Sequence, residues 1–314
     1  MDKISVVVPC YNEEETVEIY YNEMKKVISK MKETEFEIIF VNDGSKDKTL
    51  DIIKSLSKQD SIVRFISFSR NFGKESAIIA GLDYAVGNYI TTMDVDMQDP
   101  PKLLIEMYNE IKKGEYDCIA TRSVSRNGYS FLRKIFTKMY YKIINTISRT
   151  EIVDGARDFR LMTRKMVDSI ISLREYNRYS KGIFSWVGYE TKWITFENEE
   201  RVAGTTKWNF FKLFTYSLES ILGFSTVPLV IASFIGLGFF LISIIMIIAI
   251  IINTVINSNS VAGWPSMVCI MFFVSGVQLF CIGILGQYFA KMYLEIKDRP
   301  IYIVKETEKD IGAK

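Results

Sequence analysis

The sequence predicts an α/β domain on an open, mostly parallel sheet, followed by interfacial helices and a two-helix transmembrane hairpin. Three observations predict it. Strand-like and helix-like runs alternate from Ile4 to Ala120, and a polar loop follows each strand-like run. No Asp, Glu, Lys or Arg occurs between Glu219 and Lys291.

The strand-like runs are Ile4–Val8, Phe36–Val41, Val63–Phe68, Tyr89–Met93 and Tyr116–Ala120. Helical patterns separate them at Glu14–Met31, Lys48–Leu56, Lys74–Ala85 and Pro101–Lys112. That alternation is the mark of a parallel sheet with crossover helices. Such sheets bind ligands beyond the carboxyl ends of their strands.

The chemistry-bearing residues fall in those places. The first strand runs into Pro9-Cys10-Tyr11-Asn12-Glu13-Glu14, the second into Asn42-Asp43-Gly44-Ser45, the third into Arg70-Asn71-Phe72-Gly73-Lys74-Glu75. The fourth precedes Asp94-Val95-Asp96-Met97-Gln98-Asp99, the fifth Thr121-Arg122. If the fourth strand continues, Asp94 and Asp96 project from one face. Like charges that close call for a cation between them, and a hard divalent ion with open sites for phosphate answers that need. A lone pair of this kind is most often a polar loop; five such loops on one edge make a site.

The pair with Lys74 and Arg122 describes a metal-bridged diphosphate. Gly73 at a helix start offers backbone N–H groups to a phosphate oxygen. Asp43 and Glu13 are acceptors suited to ribose hydroxyls or base N–H groups, and Tyr11 can stack on a base. Asp43-Gly44 is equally an ordinary turn, and Glu13 an ordinary first-turn acid.

Composition narrows the chemistry. The chain has 314 residues and no His, which removes imidazole acid–base catalysis and His-ligated zinc. A net charge of +2 gives no basis for nucleic-acid binding. Cys10, Cys118, Cys269 and Cys281 have no C-x-x-C spacing and read as small buried hydrophobes. The N-terminus enters a strand at once, so no cleavable signal peptide is expected.

Behind this domain, Val227–Ile252 and Ser266–Phe289 are each long enough to cross about 30 Å of hydrocarbon. Lys207 and Lys212 precede the first span, and Lys291, Lys297, Arg299 and Lys305 follow the second, while the connecting loop is uncharged. The positive-inside rule then puts both termini and the large domain in the cytoplasm of a two-span cell-membrane protein. The aromatic, amphipathic stretch Trp208–Leu218 reads as a helix lying in the headgroup layer. The expected division is 1–207 for the α/β domain, 208–224 for the interfacial helix, 225–290 for the spans and 291–314 for a tail.

Val-Val-Pro-Cys-Tyr-Asn-Glu-Glu, Val-Asn-Asp-Gly-Ser, Arg-Asn-Phe-Gly-Lys-Glu and Met-Asp-Val-Asp-Met-Gln-Asp-Pro-Pro together resemble glycosyltransferase family 2. The resemblance is to its polyprenyl-phosphate branch of bactoprenol glucosyltransferases and dolichol-phosphate mannose synthases, and it extends over the whole chain. It implies a GT-A nucleotide-sugar domain. It implies that Pro9, Tyr11, Glu13 and Asp43 bind the nucleoside, with Asp94 and Lys74 at the diphosphate. Asp94, Asp96 and Gln98 would surround Mg²⁺ or Mn²⁺. Asp158-Phe159-Arg160-Leu161 matches the later motif, with Asp158 at the catalytic acid/base position and Asp96 the second catalytic residue. Arg157 departs from the Gly usual before that Asp. Arg201-Val202-Ala203-Gly204-Thr205-Thr206-Lys207 matches the basic segment beside the membrane.

The implied reaction is inverting transfer of a hexose from a nucleotide sugar to undecaprenyl phosphate, for cell-envelope glycan modification. UDP-glucose leads; UDP-N-acetylglucosamine, UDP-galactose and GDP-mannose stay open. Arg122, Arg133, Arg201 and Lys207 are the candidates for the lipid phosphate, although Arg133 in Leu132-Arg133-Lys134-Ile135-Phe136 also suits a solvated helix face. A homo-oligomer, such as the tetramer seen among relatives, is expected, with Ile301-Tyr302-Ile303-Val304 pairing as a strand between subunits. A processive polysaccharide synthase would need a Gln-x-x-Arg-Trp motif, which is missing, and more spans. A membrane scaffold or flippase subunit is the non-enzymatic alternative.

Overall fold

The computed structural model describes residues 1–123, 153–196, 225–257 and 263–312, with a few positions between 139 and 146. Among the described residues eight strands form one mixed sheet: β1 (Asp2–Cys10), β2 (Thr34–Asn42), β3 (Val63–Phe68), β4 (Tyr89–Thr92), β5 (Cys118–Ser123), β6 (Ala156–Thr163), β7 (Thr191–Phe196) and β8 (Val304–Thr307). Their order is β7-β5-β6-β4-β1-β2-β3-β8.

The crossover helices α1 (Val17–Ile28), α2 (Thr49–Gln59) and α4 (Leu103–Ile111) cover one face, and α3 (Lys74–Tyr84), α5 (Arg164–Ser172) and α6 (Ser180–Trp186) the other. β1 shows why the sheet is buried on both sides. Ile4, Val6 and Val8 enter the first core and Val7 the second, so its apolar run is continuous rather than alternating. Helix α1 buries Val17, Tyr20, Met24 and Val27, one stripe at helical spacing. Each such fully buried large side chain contributes about 1.5–3 kcal/mol. Gly81 lets α3 lie close on β1, because a Cβ there would stand 2.1 Å from Val7 Cγ1.

Strands β1 to β5 all run in one direction, β5 being antiparallel to β6, which is itself antiparallel to β4. Their carboxyl ends therefore share one rim, as the sequence predicts. The sequence did not mark β6 or β7, and it placed the tail strand at 301–304 where β8 runs Val304–Thr307. Strand β6 enters from that same rim, so its first residues join it. Its register pairs Thr92 with Arg160, and two residues earlier in β6 Asp158 meets the same Lys74 ammonium that holds Asp94.

Two expectations are corrected. Strand β4 ends at Thr92, so Asp94 and Asp96 lie in a loop and are not set by strand alternation. The ladder gives way to a turn with Met97 at φ 61°. Secondly, the tail does not wait for another subunit. β8 pairs antiparallel with β3 of its own chain, because β3 is otherwise an open edge. Tyr302 stacks on Phe68 at 5.2 Å, Lys54 meets Glu306 at 2.7 Å and Arg64 meets Glu308 at 3.0 Å.

Helices α7 (Val227–Asn257) and α8 (Trp264–Ile296) contain two candidate membrane spans, Val227–Met246 and Ile270–Ile296. They pack as an antiparallel pair: Phe239 meets Phe273 edge-on at 5.3 Å, and Tyr288 donates to the Ser225 carbonyl at 2.5 Å. Large apolar side chains such as Ile231, Phe234, Phe272 and Leu279 are exposed around both. Both helices run past the predicted spans, and the last two turns of α8 reach the α/β domain. The expected interfacial helix at 208–224 lies outside the described residues.

Candidate active site

The rim is assembled by bonds between successive loops. Asn12 N–H donates to Ser45 Oγ at 3.0 Å, Lys46 N–H to Asn12 Oδ1 at 2.9 Å and Glu13 N–H to Thr49 Oγ1 at 2.8 Å. These fix the loop carrying Pro9, Tyr11 and Glu13 against the start of α2. Glu13 also accepts from Thr16 Oγ1 at 3.0 Å, which leaves Tyr11 and Glu13 half-buried at the rim.

Asp43 ties the second loop to the third. Its two oxygens accept from Phe72 N–H at 2.6 Å and Gly73 N–H at 2.9 Å. Gly44 makes this possible: its φ is +65°, and a Cβ would stand 2.4 Å from the Arg70 carbonyl carbon. Burial pushes the Asp43 carboxyl up, against the pull of the two N–H groups and Arg70. The sequence reading offered Gly73 N–H to a phosphate; that donor is taken by Asp43. Asp43, 3% exposed, thereby fixes the second and third loops to each other.

Lys74, the first residue of α3, is the centre of the site. Its ammonium lies 2.7 Å from Asp94 and 2.6 Å from Asp158. Burial works to lower the Lys74 pKa, but the charges of Asp158 and Asp94 hold it well above the usual lysine value. Asp158 responds in the opposite sense. Burial would raise it, yet Lys74, Lys181 and Arg160 hold it well below the carboxylate range. Thr92 Oγ1 donates to the Asp158 carbonyl, locking the start of β6 to the end of β4.

In the loop after β4, Asp94, Asp96 and Gln98 are half-buried while Val95, Met97 and Asp99 are buried. The three residues expected around a metal are thus the partly exposed ones of this loop, and Asp96 Oδ1 accepts from Gln98 N–H at 3.1 Å. Two carboxylates and an amide are a hard oxygen set that fits Mg²⁺ or Mn²⁺ with sites left for phosphate. Among the described residues no three His, Cys, Asp or Glu side chains converge as a complete cage.

Sequence reasoning missed several participants. Asp99 is 3% exposed and lies 3.0 Å from Arg157 Nε, the residue that departs from the family pattern. The two atoms are close without hydrogen-bond alignment. Burial is the main force pushing Asp99 up to about 7, with Arg157 pulling it down and Asp94, Asp158 and Asp96 adding to the rise. Arg160 is buried with its guanidinium 3.8 Å from the Phe184 ring centroid. Lys181 arrives from α6, far along the chain, with no motif to announce it. Arg122 sits in register opposite Ala156 and Thr195 on the same rim. Arg133, Arg201 and Lys207 lie outside the described residues.

A carboxyl rim carrying an ionic cluster on a mostly parallel sheet is the class of site found in nucleotide-sugar enzymes, and comparison with known proteins names the family. The model described as Glycosyl transferase family 2 matches residues 5–171. The chain belongs to that family and is a glycosyltransferase. The SfII prophage-derived bactoprenol glucosyl transferase of Shigella flexneri is 42% identical over 98% of this chain and 99% of its own length. The prophage bactoprenol glucosyl transferase homolog of Escherichia coli (strain K12) is 42% identical, over 98% of this chain and 100% of its own. The bactoprenol glucosyl transferase of Shigella phage SfX is 43% identical over 96% and 99%. Among solved structures, glucosyl-3-phosphoglycerate synthase from Mycobacterium tuberculosis is similar with a TM-score of 0.46 and 17% identity, over 70% of this chain and 78% of that one. That likeness is too distant to bear on substrate or metal.

Proposed function

We propose that this glycosyltransferase transfers a hexose, with inversion, from a nucleotide sugar to a polyprenyl phosphate at a membrane surface. What supports the acceptor is full-length similarity to bactoprenol glucosyl transferases, together with two candidate spans beside the domain. The observation that carries the chemistry is Lys74 joined to both Asp94 and Asp158 at the rim. UDP-glucose is the proposed donor, since those relatives are named as glucosyl transferases.

In this reading a phosphate oxygen of the lipid attacks the anomeric carbon. The bond from that carbon to the β-phosphate oxygen of the nucleotide breaks, and the nucleoside diphosphate leaves. A phosphate monoester has a second pKa of about 6, so at neutral pH the nucleophile has already lost its proton. Asp158 is held ionised and is a weak base, so its contribution is to fix Lys74 and orient the acceptor. Lys74 meets the negative charge developing on the leaving group. A divalent cation held by Asp94, Asp96 and Gln98 would supply further charge to the diphosphate. Pro9, Tyr11, Glu13 and Asp43 form the nucleoside side of the pocket. Arg122, with Arg133, Arg201 and Lys207, answers the lipid phosphate.

The α/β domain over 1–207 and both termini are proposed to face the cytoplasm, because the loop between the spans is uncharged while Lys291, Lys297 and Arg299 follow the second. The test of function is direct: purified protein, labelled nucleotide sugars and polyprenyl phosphate in vesicles. Label entering the organic phase from UDP-glucose supports the reading. A scaffold or flippase subunit would move no label and would keep its function in Asp94→Asn.

A further inference from the structure

Glu295 stands in the last turn of α8, where the helix dipole disfavours a negative charge. Its carboxylate is matched there by donors from another element. Tyr176 N–H reaches it at 3.0 Å, Asn177 N–H at 3.0 Å and Asn177 Nδ2 at 3.1 Å. Asn177 Nδ2 also approaches the Lys291 carbonyl at 3.4 Å. The end of the candidate span is thereby fastened to the loop between α5 and α6.

That loop leads to the active site. Three residues on, Ser180 donates its N–H to Glu75 at 2.9 Å and its hydroxyl to the same oxygen. Glu75 follows Lys74, which holds Asp94 and Asp158. Lys181, next to Ser180, adds its charge to the field on Asp158. Glu295 and Glu75 thus each accept from the 176–180 loop, and that loop with the backbone step from Glu75 to Lys74 connects the end of the candidate span to the reacting centre.

We propose that Glu295 is a positioning residue: it holds the catalytic rim at a fixed height and tilt relative to the bilayer, so that a phosphate confined to the headgroup plane meets Lys74 and Asp158. This rests on the proposed lipid acceptor. Loss of Glu295 leaves the domain tethered, because the tail is separately fixed by the β8–β3 pairing and by Tyr302 donating to Asp83 at 2.8 Å. The role is therefore separable from folding.

The test compares Glu295→Gln, Glu295→Ala and Glu295→Asp in reconstituted vesicles. The amide of Gln keeps one acceptor oxygen for these N–H groups but loses the charge and puts an NH₂ where the second oxygen accepts from Tyr176, while Asp keeps the charge on a shorter arm. Expected for Glu295→Gln is a rise of about 10-fold in KM for long-chain polyprenyl phosphate in vesicles. Turnover with a short water-soluble prenyl phosphate, and nucleotide affinity by titration, stay within about two-fold (less than half of one such tenfold step in free energy). Glu295→Asp recovers part of the loss. Equal losses on both acceptors with a lowered Tm, or no change on either, overturn the proposal. A wild-type protein that glycosylates neither prenyl phosphate overturns the proposed function instead. Amide exchange then decides the link itself: faster exchange at 176–181 in Glu295→Gln upholds it, and unchanged exchange there ends it.

Discussion

Lys74 and Asp158, 84 residues apart in the chain, meet at 2.6 Å and join the first turn of α3 to the start of β6. The same ammonium reaches Asp94. One cation therefore sets the spacing of two carboxylates that belong to different strand ends. Replacing Lys74 with Gln should lower kcat by about 10²–10³, the usual loss when one preorganised charge at a developing anion is removed. Steady-state kinetics with separate measurement of nucleotide affinity checks this. A change confined to affinity would assign Lys74 to binding alone.

The depressed Asp158 carboxyl gives a prediction about pH. Its folded value lies below the ordinary one, so Asp158 stays ionised as pH falls through the range where the enzyme works. The acid limb of the rate profile should then follow the lipid phosphate, near about pH 6, not Asp158. Asp158→Asn should be impaired by a similar factor from neutral to alkaline pH. Recovery of the variant at high pH would restore the general-base role.

At the opposite end of the sheet, Glu37 is buried and accepts from Ser5 Oγ at 2.5 Å, Val86 N–H at 2.8 Å and Arg64 Nη1 at 2.8 Å. Burial raises its carboxyl, but these bonds and Lys3 outweigh it and the net shift is downward. A lowered folded pKa means stability that is present above the unfolded value of 4.5 and lost as pH falls through the folded one. Glu37→Gln should cost about 1.5–3 kcal/mol at pH 7. The difference from wild type should shrink below about pH 4.5, as the wild-type carboxyl takes up its proton. Chemical denaturation at several pH values reads both. A gap that stays constant down to pH 3 would contradict it.

The tail offers a test of the intrachain β8. Tyr302→Ala removes the stack on Phe68 and the bond to Asp83. It should destabilise the domain by about 2–3 kcal/mol and expose the β3 edge to aggregation. If instead the variant only dissociated an oligomer, with the monomer's stability unchanged, β8 would belong between subunits after all.

Much of this was legible in the sequence. The five parallel strands and their crossover helices follow from hydrophobic runs that are apolar on both faces, because helices cover both. Strand β6 was hidden because Arg157, Asp158 and Arg160 interrupt its apolar pattern; those charges serve the rim and the Phe184 contact, not the core. Strand β8 is four residues long and forms only because β3 offers an edge. The pairing of Asp94 with Lys74 was foreseen as a need for positive charge but assigned to a metal alone. Lys181 and Glu295 carry no local signal, since each acts on residues more than twenty positions away.

The central claim is that the Lys74, Asp94 and Asp158 rim moves a sugar onto a membrane-borne phosphate. The most direct measurement follows labelled UDP-glucose and polyprenyl phosphate in vesicles with wild type, Asp94→Asn and Asp96→Asn, with and without chelator. The account predicts lipid-linked label from wild type with Mg²⁺ or Mn²⁺, and at least about a 100-fold loss in chelator or in either variant. Undiminished transfer by Asp94→Asn in excess chelator would contradict it.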